Sequence, residues 1–470
     1  MGEEISRRYF DAEDFSAFRQ KLDEETNLLR GLFERQEFSE RGNVIGFELE
    51  AWLVDHDGNP LPQNKDFLDR LDNPLVVPEL AEFSVELNGS PSALTGRVFS
   101  RLQDELDATW RACRAAADAM GCHLVIIGIL PTVEQSMLSS DYMSQMVRYQ
   151  SLNDRVMALR DGKPLEIKIE GDPDLVTTHS DVMLEAAATS FQIHLQCRPE
   201  NAVRDFNASI IASAPIVAAS ANSPFLFGHS LWDETRIPLF EQAVEVGERY
   251  PARVSFGKGY VEHSLLEVFE ENQRDHLILI PAVQDSPPSK FSHVRFHNGT
   301  LWRWNRPLLG FDFDGQVHLR IEHRVVPAGP TIKDCIANSA FFFGLVCGMG
   351  IQSRGMEDSL PFAVAKKNFY AAARFGLNAK IRWGKRSKTV RSLIIDELLP
   401  LARLGLQSQD IPESEIADYL DVVAGRVDSG LNGAAWQRRW VARNGPDMHG
   451  LVRAYRELQD QGEPVHCWDV

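Results

Sequence analysis

The sequence holds 470 residues, 44% hydrophobic and 25% charged, which is ordinary for a globular protein and enough for a substantial core. Its net charge of −18 argues against nucleic acid and anionic membrane as partners, because a surface that acidic repels both. A small anionic substrate stays open, since a pocket can be locally basic.

Length alone suggests roughly three domains. No Gly/Ser-rich or Pro-rich linker and no fixed-period repeat divides the chain. One large domain is therefore expected, with a sheet-and-helix core over 1–330 and a mainly helical part over 331–470 packed on it. In chain order, the N-terminal MGEEISRRYF lacks the apolar core of a signal peptide. Residues 12–35 are amphipathic and predict a helix. Residues 97–120 predict a second, stopped by Gly121. HLVIIGI at 123–129 reads as a strand. Residues 207–221 and 238–246 read as helices, 277–283 as a strand and 341–348 as a buried helix. From Pro361 onward the chain reads as helical, with a basic loop at 380–391.

Two stretches, 206–231 and 335–353, carry no Asp, Glu, Lys or Arg. A spanning helix needs about 20 mainly apolar residues. Proline and polar residues interrupt the first, and the second is barely long enough, so both read as buried core helices. Six scattered cysteines, Cys113, Cys122, Cys197, Cys335, Cys347 and Cys467, form no CxxC. They read as reduced thiols in a cytoplasmic protein.

The chemistry lies in four short segments that alternate alike. On a strand, residues i and i+2 face one side, about 6.6–6.8 Å apart. GFELE at 46–50 puts Glu48 and Glu50 on one face. EFSVELN at 82–88 does the same for Glu82, Ser84, Glu86 and Asn88. SFQIHLQ at 190–196 aligns Gln192 with His194, and HLRIEHR at 318–324 aligns Arg320, Glu322 and Arg324. Any one of these fits an antiparallel sheet with a wet face. Together they are unusual, because the polar members are metal-binding and phosphate-binding types. Clustered carboxylates need a cation between them. Oxygen ligands with a single imidazole select magnesium or manganese over zinc. Arginines beside them suit phosphate or carboxylate. That combination is the equipment of phosphoryl transfer.

These segments, with SANSPFLFG at 220–228, HNGTLWRWNRP at 297–307, HLRIEHRVVPAGPT at 318–331 and NFYAAARFGLNA at 368–379, resemble the bacterial glutamate–cysteine ligases and related carboxylate–amine ligases of the glutamine synthetase superfamily. The resemblance implies an α+β fold: a glutamine synthetase-like curved antiparallel sheet with flanking helices and a helical C-terminal region. It implies ATP and Mg²⁺ (or Mn²⁺) and small-molecule substrates, glutamate and an amine, with cysteine expected. Carried over by position, Glu48, Glu50, Glu86 and Glu322 resemble metal ligands, with Glu82 as a helper. Gln192 and His194 match positions that reach metal or nucleotide. Arg320 and Arg324 resemble phosphate or substrate guanidiniums. Arg236, Arg303, Arg306 and Arg148 are candidate substrate arginines, although HSLWDETR before Arg236 departs from the family pattern.

Each residue has a plainer reading: a wet-face carboxylate, a core histidine, a structural ion-pair row. Other acceptor amines, a guanidino-kinase-like phosphotransferase and a non-catalytic binding protein are the competing functions. Assembly into a homo-oligomer stays open.

Overall fold

The computed structural model describes residues 4–353 and 355–469. Helix Ala12–Arg35 starts on a capping box between Asp11 and Asp14. Helix Val98–Met120 ends where Gly121 takes φ +72°, a left-handed turn that glycine adopts without strain.

The centre is an antiparallel sheet. Its strands are β1 (Val44–Val54), β2 (Val76–Pro78), β3 (Ser84–Asn88), β4 (Phe191–Cys197), β5 (Asn305–Phe311) and β6 (Val317–His323). Their spatial order is β5-β6-β4-β1-β3-β2, and the pieces Ser92–Ala93 and His123–Val125 pair with the ends of β1. The four segments singled out in the sequence are thus neighbours. Pro307 and Pro78 lie in the two edge strands, where a missing N–H costs no ladder bond. The sheet curls into a half-barrel flanked by helices, which is the expected α+β, glutamine synthetase-like architecture.

The apolar side explains the alternation. Phe47 and Leu49 of β1 are buried, and Phe47 packs on Phe191 of β4 with ring centres 5.4 Å apart. Trp52 stacks flat on Phe83 at 5.3 Å. Beneath lie helices Ala202–Ser220 and Ile332–Gly350, the two charge-poor stretches. The second is long and apolar enough to cross a membrane, but 89% of its apolar window is buried inside the protein. It packs so closely on helix Leu399–Gln407 that a Cβ on Gly344 would lie 2.7 Å from the Ala402 carbonyl.

Three expected elements differ. Of 123–129, only His123–Val125 is a strand. The ladder stops at Ile126, whose N–H donates to the Gln459 side chain at 3.1 Å and whose carbonyl accepts from Gln459 and Tyr455. Residues 277–283 are not a strand; the chain bends at Leu279, forms no ladder with any described strand, and Pro281 offers no N–H. The basic stretch at 380–391 is not a loop but a hairpin, Lys380–Trp383 with Arg386–Thr389, turned at Gly384 with φ +58°. One hydrophobic core runs from Ile5 to Trp468, so the C-terminal helices share it with the sheet.

Candidate active site

Register decides which side chains meet. Glu50 lies opposite Glu86 on β3, and Glu48 opposite Gln192 on β4. His194 lies opposite Glu322 on β6, and Glu322 opposite Arg306 on β5. The concave face therefore carries two acid clusters. Glu48, His194 and Glu322 bring one ligand atom each within 4.8 Å of one another, and so do Glu50, Glu79 and Glu86. A cavity of about 370 Å³ opens above them, a size suited to a small-molecule ligand.

Glu50 is fixed by the Ser190 N–H at 2.7 Å, the Ser190 hydroxyl at 3.0 Å and the Gln192 amide at 3.0 Å. Asn88 donates to Glu86 at 3.1 Å. Arg306 grips Glu322 with two parallel hydrogen bonds, 2.8 and 3.0 Å. Arg324 donates to Glu322 at 3.1 Å and also to the Gln192 carbonyl. Burial pushes the Glu322 pKa up, but Arg306 and Arg324 outweigh it and hold the carboxylate well below its usual range.

Among the described residues no arginine is hydrogen-bonded or ion-paired to the second cluster; burial holds the Glu50 pKa raised, outweighing Arg324 and Arg236, which lower it. Burial, followed by the charge of Glu48, pushes Glu86 up to about 8. Burial and then Glu86 push Glu79 well above its ordinary value. Burial lowers His194 to about 4, so its ring is neutral at pH 7.

The donor set fits a hard divalent ion. Glu79 Oε1, Glu86 Oε2 and both ring nitrogens of His194 are buried without hydrogen-bond partners. One metal ion in each cluster would take up the two carboxylate oxygens and one ring nitrogen of His194, and would relieve the repulsion. Three carboxylates in one cluster and two with an imidazole in the other favour magnesium or manganese.

Arg320 lines the cavity, and among the described residues its guanidinium has no hydrogen-bond or ion-pair partner. A bare guanidinium beside an open cavity is a receptor for an anion. Arg148 lines the same cavity and donates to the Tyr149 hydroxyl at 2.9 Å.

Three sequence expectations land elsewhere. Glu82 lies outside both clusters and accepts from Gln145 at 3.1 Å. The chain turns at 81–84, where the Ser84 N–H bonds the Ala81 carbonyl, so the i, i+2 alternation does not reach Glu82. Glu79, just after β2, takes the place in the cluster; its segment PELAEF has no alternation that would reveal it. Arg236 is 1% exposed, pairs with Glu234 at 3.0 Å and donates to the Val325 carbonyl. It does not line the cavity. Arg303 bonds Glu271 at 2.7 Å and Asn272 at 2.8 Å, and faces a separate cavity of about 260 Å³ with Lys258 and Tyr260. Gln192 spends both ends of its amide on Glu50 and Arg324, which makes it a positioning group. Sequence reasoning also missed Glu185, in the turn Met183–Ala187, which lines the cavity.

Comparison with known proteins agrees with this geometry. The family model described as glutamate–cysteine ligase family 2 matches residues 44–457. A Trichormus variabilis protein named "Putative glutamate–cysteine ligase 2" is 25% identical over 231 residues, 47% of this chain and 51% of that protein. The match thus spans about half the length of that relative. The glutamate–cysteine ligase of Francisella tularensis, solved with AMP, superposes with a TM-score of 0.56 at 11% identity, covering 92% of this chain and 91% of that one. A bifunctional glutathione synthetase from Pasteurella multocida gives a TM-score of 0.53 at 11% identity, over 93% of this chain and 55% of that one. At this identity the likeness to both concerns the fold.

Proposed function

We propose that this chain, which belongs to the glutamate–cysteine ligase family 2, is an ATP-dependent ligase joining a carboxylate to an amine. Glutamate and cysteine are the proposed substrates, and γ-glutamylcysteine the product. The observation that carries the reading is the meeting of two acid clusters and a bare guanidinium, Arg320, in one cavity. The AMP held by the Francisella tularensis neighbour supports a nucleotide substrate. The family description and the curated relative's name support cysteine as the amine. A reaction that uses ATP and a reduced thiol fits the cytoplasm.

The reaction has two steps. The glutamate γ-carboxylate attacks the γ-phosphorus of ATP; ADP leaves and an acyl phosphate forms. The acceptor nitrogen gives up one proton to a carboxylate of the site, attacks the acyl carbon as the neutral amine, and loses its second proton to the phosphate that departs. Glu48, His194 and Glu322 would hold one divalent ion, and Glu50, Glu79 and Glu86 a second. When bound, magnesium would neutralise the oxygens of the transferring phosphoryl group. Arg320 receives phosphate oxygens and stabilises the charge that develops on them. Arg306 and Arg324 keep Glu322 ionised and aimed. Leu80, Leu152, Phe296 and Trp302 form an apolar wall to the same cavity and keep water from the acyl phosphate.

A panel of acids and amines with ATP and magnesium tests the reading, with phosphate release and amide product measured together. Amide formed only from glutamate plus cysteine supports it. Amide from glutamate with another amine changes the acceptor. Phosphate transfer to a guanidine without amide, or no turnover with any pair, sinks it.

A further inference from the structure

The cavity lining is rich in charge, and nearly every charge is already engaged. Glu48 and Glu322 belong to one acid cluster, and Glu50 and Glu79 to the other. Arg306 and Arg324 bind Glu322. Glu185 is the exception among the carboxylates. It lines the cavity, belongs to neither cluster, and among the described residues its carboxyl group has no hydrogen-bond or ion-pair partner. Its backbone is tightly held: its N–H donates to Val182 at 3.0 Å, and its carbonyl accepts from Ala188 at 2.9 Å. Burial, followed by the charge of Glu50, pushes the Glu185 pKa up to about 8, because a buried carboxylate without a partner is costly until a cation completes it.

What completes it can be read from charge. An acid and a triphosphate are both anions, and the arginines and the ion clusters serve them. The acceptor amine is a cation at neutral pH when free, as is the α-ammonium of glutamate, and separate KM values for amine and acid distinguish the two. The amine nitrogen needs an acceptor that is not already spent on a metal ion. Its chain neighbours Ala186 and Ala188 line the same cavity as Glu185, as do Tyr149 and Leu152, which leaves room for a small substrate group.

We propose that Glu185 is the group that receives the ammonium of the acceptor amine and selects for it. Resting on the ligase reading above, the assignment names the amine subsite of that cavity. Glu185 binds the nitrogen through charge-assisted hydrogen bonds. It orients the amine toward the acyl carbon and discriminates against acceptors that lack a cationic nitrogen.

Glu185→Gln keeps the shape and removes the charge. With acid and ATP saturating, KM for the amine rises about tenfold or more. KM for ATP, KM for the acid and the magnesium dependence stay within about twofold. Glu185→Asp restores part of the loss. A binding readout runs alongside: cysteine shifts the melting temperature of wild-type protein loaded with a non-hydrolysable ATP analogue and magnesium, and 3-mercaptopropionate, which lacks the amine, does not. In Glu185→Gln both are silent. Wild-type activity with an unchanged amine KM in Glu185→Gln overturns this assignment and leaves the ligase reading standing. A changed magnesium dependence makes Glu185 a metal ligand and overturns it too. If wild-type protein forms no amide with any pair, the ligase reading falls first and this assignment with it.

Discussion

His194 Nε2 lies 3.5 Å from Glu48 Oε1 on the adjacent strand, yet neither ring nitrogen of His194 has a hydrogen-bond partner. The pair is close enough to share an ion and is not satisfied by itself. A second group, Glu322, sits 4.0 Å from the same nitrogen. The native state is therefore expected to gain stability from a divalent ion. Magnesium at about a hundred times its dissociation constant adds about 2.7 kcal/mol. Thermal melts with magnesium and with EDTA check this. Glu48→Gln and His194→Ala should blunt the shift; an unresponsive wild type would refute the two-cluster picture.

Arg320 and Arg306 should separate function from stability. Arg306 is tied to a buried carboxylate, so Arg306→Met leaves Glu322 with Arg324 alone and costs about 2–3 kcal/mol. Among the described residues Arg320 has no hydrogen-bond or ion-pair partner to lose. Arg320→Met should change stability by less than about 1 kcal/mol while lowering turnover about a hundredfold. Urea melts and phosphate release, measured on both variants, give the two axes. Equal destabilisation by both substitutions contradicts the assignment.

Arg236 and Arg303 hold structure together. Arg236→Met strands Glu234 in the core and should cost about 3–5 kcal/mol. Arg303→Met loses bonds to Glu271 and Asn272 and should lower the melting temperature. In whatever folds, KM for acid, amine and ATP should stay within about twofold of wild type. A large KM change for one substrate alone would return that arginine to the binding site.

The buried histidines set an acid limit. Burial lowers His297 to about 4, and burial followed by Arg253 and Arg303 lowers His276 to about 3. An unfolded histidine titrates near 6.5, so below that pH the unfolded chain takes up protons that the folded one refuses. The stability is present above about 6.5 and drains away as pH falls toward the folded values. At pH 5 the loss is roughly 2 kcal/mol for His297. Urea melts at pH 7.5 and 5.0 should show it. In His297→Gln the gap between the two pH values should shrink by about that amount; an unchanged gap rules the mechanism out.

Much of the site was legible because a strand has a period of two. That period alone put Glu48 with Glu50, Gln192 with His194, and Arg320 with Glu322 and Arg324, each on one face. It failed where the backbone leaves the strand. Glu82 sits in a turn, so the same counting that found Glu86 misplaced it. Glu79 and Glu185 stand on non-repeating backbone, where spacing says nothing about direction. The strand expected at 277–283 failed for a related reason: an apolar run meets strand propensity, but a strand also needs a partner.

The sequence by itself determined which residues turn inward. Apolar side chains at alternate positions must leave water, and that compels the polar ones between them to share the opposite face. It also made the two charge-poor helices core elements, since their long apolar runs must leave water. Only the tertiary structure decided which strands are neighbours and in what register. Those are contacts between segments tens to well over a hundred residues apart, with no local signature. Glu322 meets His194, and Glu50 meets Glu86 and Glu79, because the order β6-β4-β1-β3 closes long loops around one core. The same closure left Arg320 bare beside the cavity and buried Arg236 away from it, although both were candidate site arginines in the sequence.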